Sequence, residues 1–390
     1  MPKPKILIVA SSHTMIRSFL IPQVRMFQSW GYEVHLVGGG VPFVDEDIAD
    51  RVISLPLTRS PYTFANIKGY RQLRRLIEAE RYVLVDCHSP VGGAIGRLAA
   101  RHARALLGTK VSYTTHGLNF FHGSPKWKWL VFYNIEKHLA KYADNIVTIN
   151  EEDYRTCLER GFNPSIHKIP GIGVQTSRLC FPSDDYRREL RLRFGLDEDD
   201  IIMVYMAEFL KFKNHRLVID ALAAIKDDYP RLKVIFIGTG RLFDAMCRRA
   251  AKKGVADRIV FAGYTRAIGP ILAGCDIGVS PSYTEGLGLN IAEEMFTGIP
   301  IVASDCRGHR ELIESGKEGL LFPAGSVEAF VAALRRYLDD PAFAARMAEG
   351  ARKKVRNFLL DRSLEALSGI YRRLLGMAAT KNDEHLTANE

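Results

Sequence analysis

A strand–loop–helix–strand pattern over residues 276–304 constrains the fold of this chain more than any other stretch. An apolar run is followed by a loop with Gly286 and Gly288, and then by a helix predicted over residues 289–297. Gly298 stands just past that helix, where a left-handed cap favours glycine, and a second apolar run comes next. This order predicts a parallel sheet with helices on its faces.

The loop and the first helical turns have the composition of an anion site. Glycines allow the backbone to approach a ligand, and a helix N-terminus offers unpaired N–H groups and the positive end of a dipole. Glu285 and Glu293 flank this site with seven residues between them, and carboxylates accept hydrogen bonds from hydroxyl groups. A ligand with hydroxyls on both sides of its phosphates, such as a nucleotide sugar, fits the pattern. A helix N-terminus with a stabilising acid is the alternative.

Length and composition predict a globular chain of two domains. The sequence has 390 residues, of which 47% are hydrophobic and 25% are charged, and each half can bury its own core. The six cysteines form no close pairs in sequence, which fits a reducing cytosol rather than a disulfide framework or a metal knuckle. No apolar stretch approaches the ~20 residues that span a bilayer.

Positive charge is concentrated in the first half. Residues 1–177 carry 22 basic against 14 acidic side chains, whereas the remainder carries 32 against 30. Such an excess favours an anionic partner for the first half, and a solvated surface without a partner is the alternative. Nucleic acid is not expected, because no nucleic-acid module is visible and the aromatic residues are not interleaved with the basic ones.

Apolar runs alternate with helical patterns in both halves, which predicts two doubly wound α/β domains. The first loop, SSHTMIRS, lacks the Gly-x-Gly-x-x-Gly fingerprint, so a dinucleotide-dependent oxidoreductase is poorly supported. The expected divisions are an N-terminal domain over residues 1–175, a second domain over 176–357, a helix over 358–377 that crosses back to the first domain, and a polar tail over 378–390.

The stretch PSYTEGLGLNIAEEMFTGIPIVASDCRGHRELIESGKEGLLFPAG resembles the nucleotide-sugar signature of family 4 retaining glycosyltransferases, with Glu285 and Glu293 at its Glu-x7-Glu positions. The resemblance covers nearly the whole chain and is strongest to the bacterial capsule and exopolysaccharide branch. It implies the GT-B fold, an α/β architecture of two doubly wound Rossmann-like domains facing across a cleft. It also implies transfer of a hexose, with retention, from a nucleotide sugar (UDP being the commonest) to a polyprenyl-diphosphate-linked or saccharide acceptor, without metal or other cofactor.

The resemblance also implies roles for individual residues. Glu285 would orient the hexose, Glu293 the ribose and His116 the donor sugar, while Lys213 would bind the pyrophosphate. The other expected donor-binding residues are Gly286, Leu287, Gly288, Leu289, Asn290, Glu208, Gly263 and Tyr264. Weaker candidates on the acceptor side are His13, His88 and His122.

One position departs from the family pattern. The pyrophosphate element AEFLKFKNHRLVIDAL has Glu208 where most of the family has an arginine. Lys213 is therefore expected to act alone, or with Lys211 or a basic residue of the other domain. The segment 307–311 lies where the family has a glycine-rich loop near the pyrophosphate.

The segment SPKWKWLVFYNIEKHLAKY, residues 124–142, combines aromatic and basic residues. Trp129, Phe132 and Tyr133 fit an inward stripe, whereas Trp127 lies between two lysines and resembles an interfacial anchor. This predicts a cytoplasmic protein held peripherally at the anionic inner face of the cytoplasmic membrane, without a transmembrane span.

Two other functions remain open from the sequence. A nucleotide-sugar epimerase of the same architecture would convert the donor without an acceptor. A catalytically silent, membrane-associated partner of a polysaccharide assembly complex would bind nucleotide without turnover, and Glu208 is the feature that favours it.

Overall fold

The computed structural model describes residues 2–41 and 48–378. The chain forms two units: the first takes the chain up to Ile172 and again from Asp361 onward, and the second takes Gly173–Leu360. Each unit contains one parallel β-sheet with helices, which confirms the predicted α/β class. The polar tail predicted for residues 378–390 lies outside the described residues, apart from Ala378.

The sheet of the first unit has seven strands. In chain order they are β1 (Lys5–Val9), β2 (Glu33–Gly38), β3 (Arg51–Ser54), β4 (Leu84–His88), β5 (Lys110–Thr114), β6 (Asn145–Thr148) and β7 (Ser165–Lys168). They pair in parallel in the spatial order β3-β2-β1-β4-β5-β6-β7. Ile6 to Val9 are fully buried, as expected for a central strand covered on both faces. The chain order reverses between β1 and β4, and doubly wound sheets bind ligands at such a point.

The helices of the first unit are His13–Met15, a π-helical turn Ile16–Leu20, Ile21–Ser29, Phe64–Glu80, Pro90–Leu107, Lys126–Lys128, a second π-helical turn Trp129–Tyr133, Asn134–Ala140, Glu151–Glu159 and, from its second residue onward, Leu360–Leu374. Pro90–Leu107 lies very close to the sheet. A Cβ added at Gly93 would be 2.3 Å from the ring of Tyr113 on β5, so this helix can press on the sheet only because glycine stands there.

The sheet of the second unit has six strands. They are β8 (Ile201–Met206), β9 (Leu232–Ile237), β10 (Ile259–Gly263), β11 (Ile277–Ser280), β12 (Ile301–Ser304) and β13 (Leu320–Phe322). All pair in parallel, in the order β10-β9-β8-β11-β12-β13. The chain order reverses between β8 and β11, so the loops after these two strands diverge at the middle of the sheet.

The helices of the second unit are Thr176–Arg178, Asp184–Phe194, Lys211–Lys213, His215–Ile225, Phe243–Lys252, Ala256–Arg258, Ile268–Gly274, Leu289–Thr297, Arg307–Leu312, Val327–Asp339, Pro341–Val355 and Arg356–Phe358. Four of them are single 3₁₀ turns: Thr176–Arg178, Lys211–Lys213, Ala256–Arg258 and Arg356–Phe358. Apolar faces of the longer helices cover a core that includes Phe209, Phe236 and Phe330.

The predicted elements need small corrections. The sequence of residues 82–87 predicts a strand, which in the structure is β4 and runs from Leu84 to His88. The edge strands β7 and β13 are not predicted from the sequence. Among the described residues, no helix has both the length and the apolar character needed to cross a bilayer.

Candidate active site

The glycine loop after β11 ends in a helix N-terminus. Gly288 has φ 96° and occupies the N-cap position of the helix Leu289–Thr297, and no described side chain caps that helix. A side chain at 288 would be strained by this φ and would also meet the ring of His309 at 3.0 Å. The N–H groups of the first turn therefore face the carboxyl edge of the sheet without a side-chain partner, which is the geometry of an anion site.

Lys213 and Glu285 are brought together in front of this helix. Lys213 Nζ lies 2.6 Å from Glu285 Oε1, and the two side chains are only 19% and 12% exposed. Burial tends to raise the pKa of Glu285, but the charges of Lys213 and His309 outweigh it and hold the pKa below its ordinary value. Glu285 is therefore an ionised carboxylate at neutral pH, held against the partly buried ammonium group of Lys213.

Hydrogen bonds join the two loops that carry this pair. The backbone N–H of Tyr283 donates to the Phe212 carbonyl at 2.8 Å. The Tyr205 hydroxyl on β8 donates to the Lys213 carbonyl at 2.7 Å and lies 3.0 Å from the Ser282 hydroxyl oxygen. These hydrogen bonds link the loop after β8 to the loop after β11 and hold Lys213 and Glu285 in position relative to each other.

Glu293 lies in the helix Leu289–Thr297 and pairs with Arg178, which is in the second unit and was not among the predicted site residues. Burial raises the pKa of Glu293, although the charge of Arg178 and its hydrogen bond act in the opposite direction.

The neighbouring Glu294 is fully buried, and neither of its carboxyl oxygens has a hydrogen-bond partner in the described structure. Burial, together with the charge of Glu293, places the pKa of Glu294 well above its ordinary value.

His309 is a second residue that the sequence reasoning did not single out. Its Nδ1–H donates to the Ser304 carbonyl at 2.7 Å, and its Nε2 lies 3.2 Å from the Ser280 hydroxyl oxygen. Burial tends to lower the pKa of His309, but the Cys306 thiol and the charge of Glu285 raise it overall. The ring lies against Gly288, 3.0 Å from where a Cβ at that position would stand.

The remaining predicted donor residues lie on the loops around this edge. Leu287 is buried, and Asn290 has a buried Nδ2 without a partner among the described residues. The Glu208 side chain and Lys211 are exposed. On the far side of β8, the Gly263 carbonyl accepts from the Gly238 N–H at 2.8 Å, and Tyr264 is 69% exposed.

In the first unit, a carboxylate and two histidines form a chain at the end of β4. His88 Nε2 lies 2.9 Å from Asp86 Oδ2, and His88 Nδ1 lies 3.1 Å from His116 Nε2. Burial, with the charge of His88, lowers the pKa of His116 to about 3. The Asp86 carboxylate accepts from His88 Nε2–H, and the direction of the hydrogen bond between His88 Nδ1 and His116 Nε2 depends on the tautomers of the two rings. This chain uses Nε2 of His116 and leaves its Nδ1 outside the chain.

Asp86 is held by residues from distant parts of the chain. The Tyr371 hydroxyl, from the helix Leu360–Leu374, donates to Asp86 Oδ1 at 2.8 Å, and Gln23 Nε2 donates to Oδ2 at 2.5 Å. Both Asp86 and Tyr371 are fully buried. Ser89, directly after β4, has φ 65°, a costly conformation for a non-glycine residue and one that is concentrated at functional sites.

His13 and His122, the other two weaker histidine candidates, differ in their surroundings. His13 follows β1 and is buried, and its backbone N–H donates to the Gly39 carbonyl at 3.1 Å. His122 is exposed. His88 is therefore a stronger candidate than His13 or His122, because among the described residues it is the one of these three with a hydrogen bond to His116.

The predicted anchor segment divides as the sequence suggested. Trp129, Phe132 and Tyr133 pack against the core of the first unit. Trp127 is 55% exposed and Leu130 is 72% exposed. The segment therefore presents apolar surface beside Lys126 and Lys128.

Comparison with known proteins identifies the family. The model described as Glycosyltransferase Family 4 matches residues 23–178, and the model described as Glycosyl transferases group 1 matches residues 187–354. EpsD of Bacillus subtilis (strain 168), which is assigned as a glycosyltransferase, is 37% identical over 96% of this chain and 97% of its own length. The UDP-Gal:alpha-D-GlcNAc-diphosphoundecaprenol alpha-1,3-galactosyltransferase of Escherichia coli is 25% identical over 84% of this chain and 85% of its own length.

A similar fold occurs in a solved structure. The crystal structure of Anabaena HepE in complex with UDP and glucose superposes with a TM-score of 0.77, at 17% identity, over 96% of this chain and 100% of that chain. The two parallel sheets, the glycine loop and these matches lead to one conclusion: the chain belongs to the family 4 glycosyltransferases of the GT-B fold that act in bacterial polysaccharide biosynthesis.

Proposed function

We propose that this glycosyltransferase moves a hexose from a UDP-sugar to a polyprenyl-diphosphate-linked or saccharide acceptor, with retention of anomeric configuration and without a metal ion. The observation that carries the proposal is the Lys213–Glu285 pair at the glycine loop, in front of a helix N-terminus. The name of the E. coli relative gives UDP-galactose as donor and a diphosphoundecaprenol-linked acceptor. That name supports the nucleotide and the acceptor class proposed here.

In this mechanism the second unit stabilises the leaving group. Negative charge builds on the diphosphate as the sugar–phosphate bond breaks. The N–H groups of Leu289 and Asn290 and the ammonium of Lys213 are fixed in position before the reaction, so they stabilise this charge without reorganisation. They supply the positive charge that a metal ion provides in other enzymes, which is the reason for proposing metal independence.

The two carboxylates would bind the two ends of the donor. Glu285 is ionised and, beside its bond to Lys213, can accept hydrogen bonds from hexose hydroxyls. Glu293 would accept from the ribose hydroxyls, and its pairing with Arg178 favours the ionised form that does so. Hydroxyl contacts of this kind orient the sugar, and orientation accounts for much of the rate enhancement in such a reaction.

His116 would contribute from the first unit. The chain through His88 to Asp86 uses Nε2 of His116, so Nδ1 can form a hydrogen bond with a hydroxyl of the donor sugar. Because its pKa is about 3, the ring stays neutral throughout the physiological range. We assign it to positioning through a neutral hydrogen bond rather than to charge stabilisation.

The proposed location is the cytoplasm, with peripheral attachment to the inner face of the cytoplasmic membrane. The exposed Trp127 and Leu130, next to Lys126 and Lys128, support this location. Apolar side chains enter the headgroup region, and each basic residue near an anionic leaflet contributes roughly 1 kcal/mol. A lipid-linked acceptor would be met at that surface.

A donor screen tests the proposal. Purified protein is incubated with UDP-hexoses and, in parallel, GDP-hexoses, with and without a polyprenyl-diphosphate-linked saccharide, and nucleotide release is measured. We expect release of UDP that depends on the acceptor. Conversion of the donor to an epimer without acceptor would identify an epimerase, and nucleotide binding without turnover under every condition would identify a silent partner.

Glu285→Gln tests the central residue. The amide keeps the shape and removes the charge, so kcat should fall on the order of 10²-fold, as for the loss of one preorganised electrostatic contact. Glu314→Gln is the matched control, since Glu314 is 64% exposed and pairs only with Lys317 among the ion pairs described. Unchanged turnover of folded Glu285→Gln would remove this residue from the mechanism.

A further inference from the structure

The replacement of the family's arginine by Glu208 leaves the diphosphate site short of one cation. The Glu208 side chain is exposed on the loop after β8 and is itself negative. A nucleoside diphosphate carries more than one negative charge, and Lys213 brings a single positive charge that is already opposed by Glu285. A second full positive charge close to this pair would restore the balance.

Arg307 lies at that place. It is the first residue of the helix Arg307–Leu312 after β12, and it is only 7% exposed. Its Nε–H donates to the Glu285 carbonyl oxygen at 3.2 Å, while Lys213 Nζ contacts the carboxylate of the same residue at 2.6 Å. A buried guanidinium and a partly buried ammonium, from two different loops, therefore converge on Glu285, one on its main chain and one on its side chain.

The backbone next to Arg307 is built for this close approach. A Cβ added at Gly308 would lie 2.8 Å from both the Glu285 carbonyl oxygen and the Leu287 nitrogen. Only glycine at 308 allows the start of this helix to lie against the loop that leads into Gly288. The guanidinium is thereby held against the glycine loop, at the Glu285 carbonyl, and is largely shielded from solvent.

A guanidinium suits this position better than an ammonium would. Burying a charge is expensive unless it is paired and hydrogen-bonded, and Arg presents a planar fork of donors that matches phosphate oxygens. We propose that Arg307 is a phosphate-binding residue and supplies the second cation of the diphosphate clamp in place of the arginine that Glu208 has replaced.

This inference rests on the proposed function, because it assumes that the second unit binds a nucleoside diphosphate. The competing explanation is that Arg307 only fastens the glycine loop through the Glu285 carbonyl. The two differ in what they predict for ligands that share a base and a ribose but differ in phosphate. If Arg307 only holds the loop in place, its substitution should weaken the binding of all such ligands alike. If Arg307 binds phosphate, its substitution should weaken the binding of the diphosphate most.

The experiment compares UDP, UMP and uridine as ligands of the full-length chain by isothermal titration calorimetry. Arg307→Gln should weaken UDP binding by roughly 10- to 100-fold, the size of a lost hydrogen bond to a charged group. UMP should lose less, and uridine should be nearly unaffected. Arg307→Lys keeps the charge without the fork and should restore part of the UDP affinity. If Arg307→Gln fails to fold, Arg307→Lys tests the proposal in its place.

Arg310→Gln is the matched control, because Arg310 lies on the same helix, is 43% exposed and pairs with Asp305. Its UDP affinity should stay within about twofold of wild type. Equal losses for UDP, UMP and uridine in Arg307→Gln, or no loss for UDP, would overturn the role of Arg307 while leaving the proposed function intact. Failure of the wild-type protein to bind UDP, GDP, ADP or dTDP would overturn both.

Discussion

Replacing Lys213 by methionine tests the charge balance of the site. Lys213 Nζ and Glu285 Oε1 are 2.6 Å apart, with side chains 19% and 12% exposed, so water cannot easily take the place of the lost partner. Two unit charges at this distance attract each other by about 6 kcal/mol at an effective dielectric of ~20, and much of this offsets the cost of burying them. Removing one partner of such a pair costs about 3–5 kcal/mol, because the other charge is left uncompensated.

The pKa of Glu285 gives the sign of the pH dependence. In the wild type it is lowered, so the stability contributed by this carboxylate is complete above its unfolded pKa and is lost as the pH falls through the lower folded pKa. In Lys213→Met the main opposing charge is gone and burial raises the pKa of Glu285. The destabilisation should therefore be largest near pH 8 and should shrink toward pH 5, where the carboxyl group takes up a proton.

Scanning calorimetry of the full chain measures the effect. For a unit of this size, 1 kcal/mol shifts Tm by about 2–4 °C, so the transition of the second unit should fall by about 6–20 °C at pH 8. The double variant Lys213→Met/Glu285→Gln should recover most of this loss. Lys317→Met is the control, since its partner Glu314 is as exposed as Lys317 itself, at 64%. A Tm of Lys213→Met within 2 °C of wild type at pH 8, or an equal loss at both pH values, would refute the reasoning.

Three further predictions concern ligands and the membrane. Glu293→Gln should raise the donor KM more than it lowers kcat, because ribose contacts bind ground and transition state alike; initial-rate kinetics check this, and a loss confined to kcat would contradict it. Turnover should survive EDTA, whereas complete loss that Mg²⁺ or Mn²⁺ restores would contradict the proposed source of positive charge. Wild type should sediment with anionic liposomes at low salt, and the triple change Trp127→Ser, Lys126→Glu and Lys128→Glu should abolish this while donor affinity is unchanged; a wild type that ignores such liposomes would refute the anchor.

The fold could be predicted because central strands of a parallel sheet are buried on both faces. Such strands are continuous apolar runs, and Ile6–Val9 is one that the sequence makes obvious. The edge strands carry no such signal. β7 (Ser165–Lys168) has no fully buried residue, and β13 (Leu320–Phe322) is only three residues long, so neither pattern could be told from a loop.

The site could be predicted as far as its residues are local in sequence. Glu285, Gly288 and Glu293 belong to one motif, and Lys213 belongs to another that the family shares. Arg178 and Tyr371 could not be found in this way. Arg178 meets Glu293 across 115 residues, and Tyr371 meets Asp86 across 285 residues. Only the folded chain brings such pairs together, and no spacing rule points to them.

The contact between Tyr371 and Asp86 also sets an order for synthesis. The first unit contains residues from both ends of the described chain. One hydrogen-bond donor to its buried Asp86 is Tyr371, which is translated only after the whole second unit. At about 5–20 residues per second, the second unit can fold while the first still lacks its last helix. The first unit is therefore completed only after the second unit has been translated, and Asp86, at the opposite end of the histidine chain from His116, gains its Tyr371 hydrogen bond at that stage.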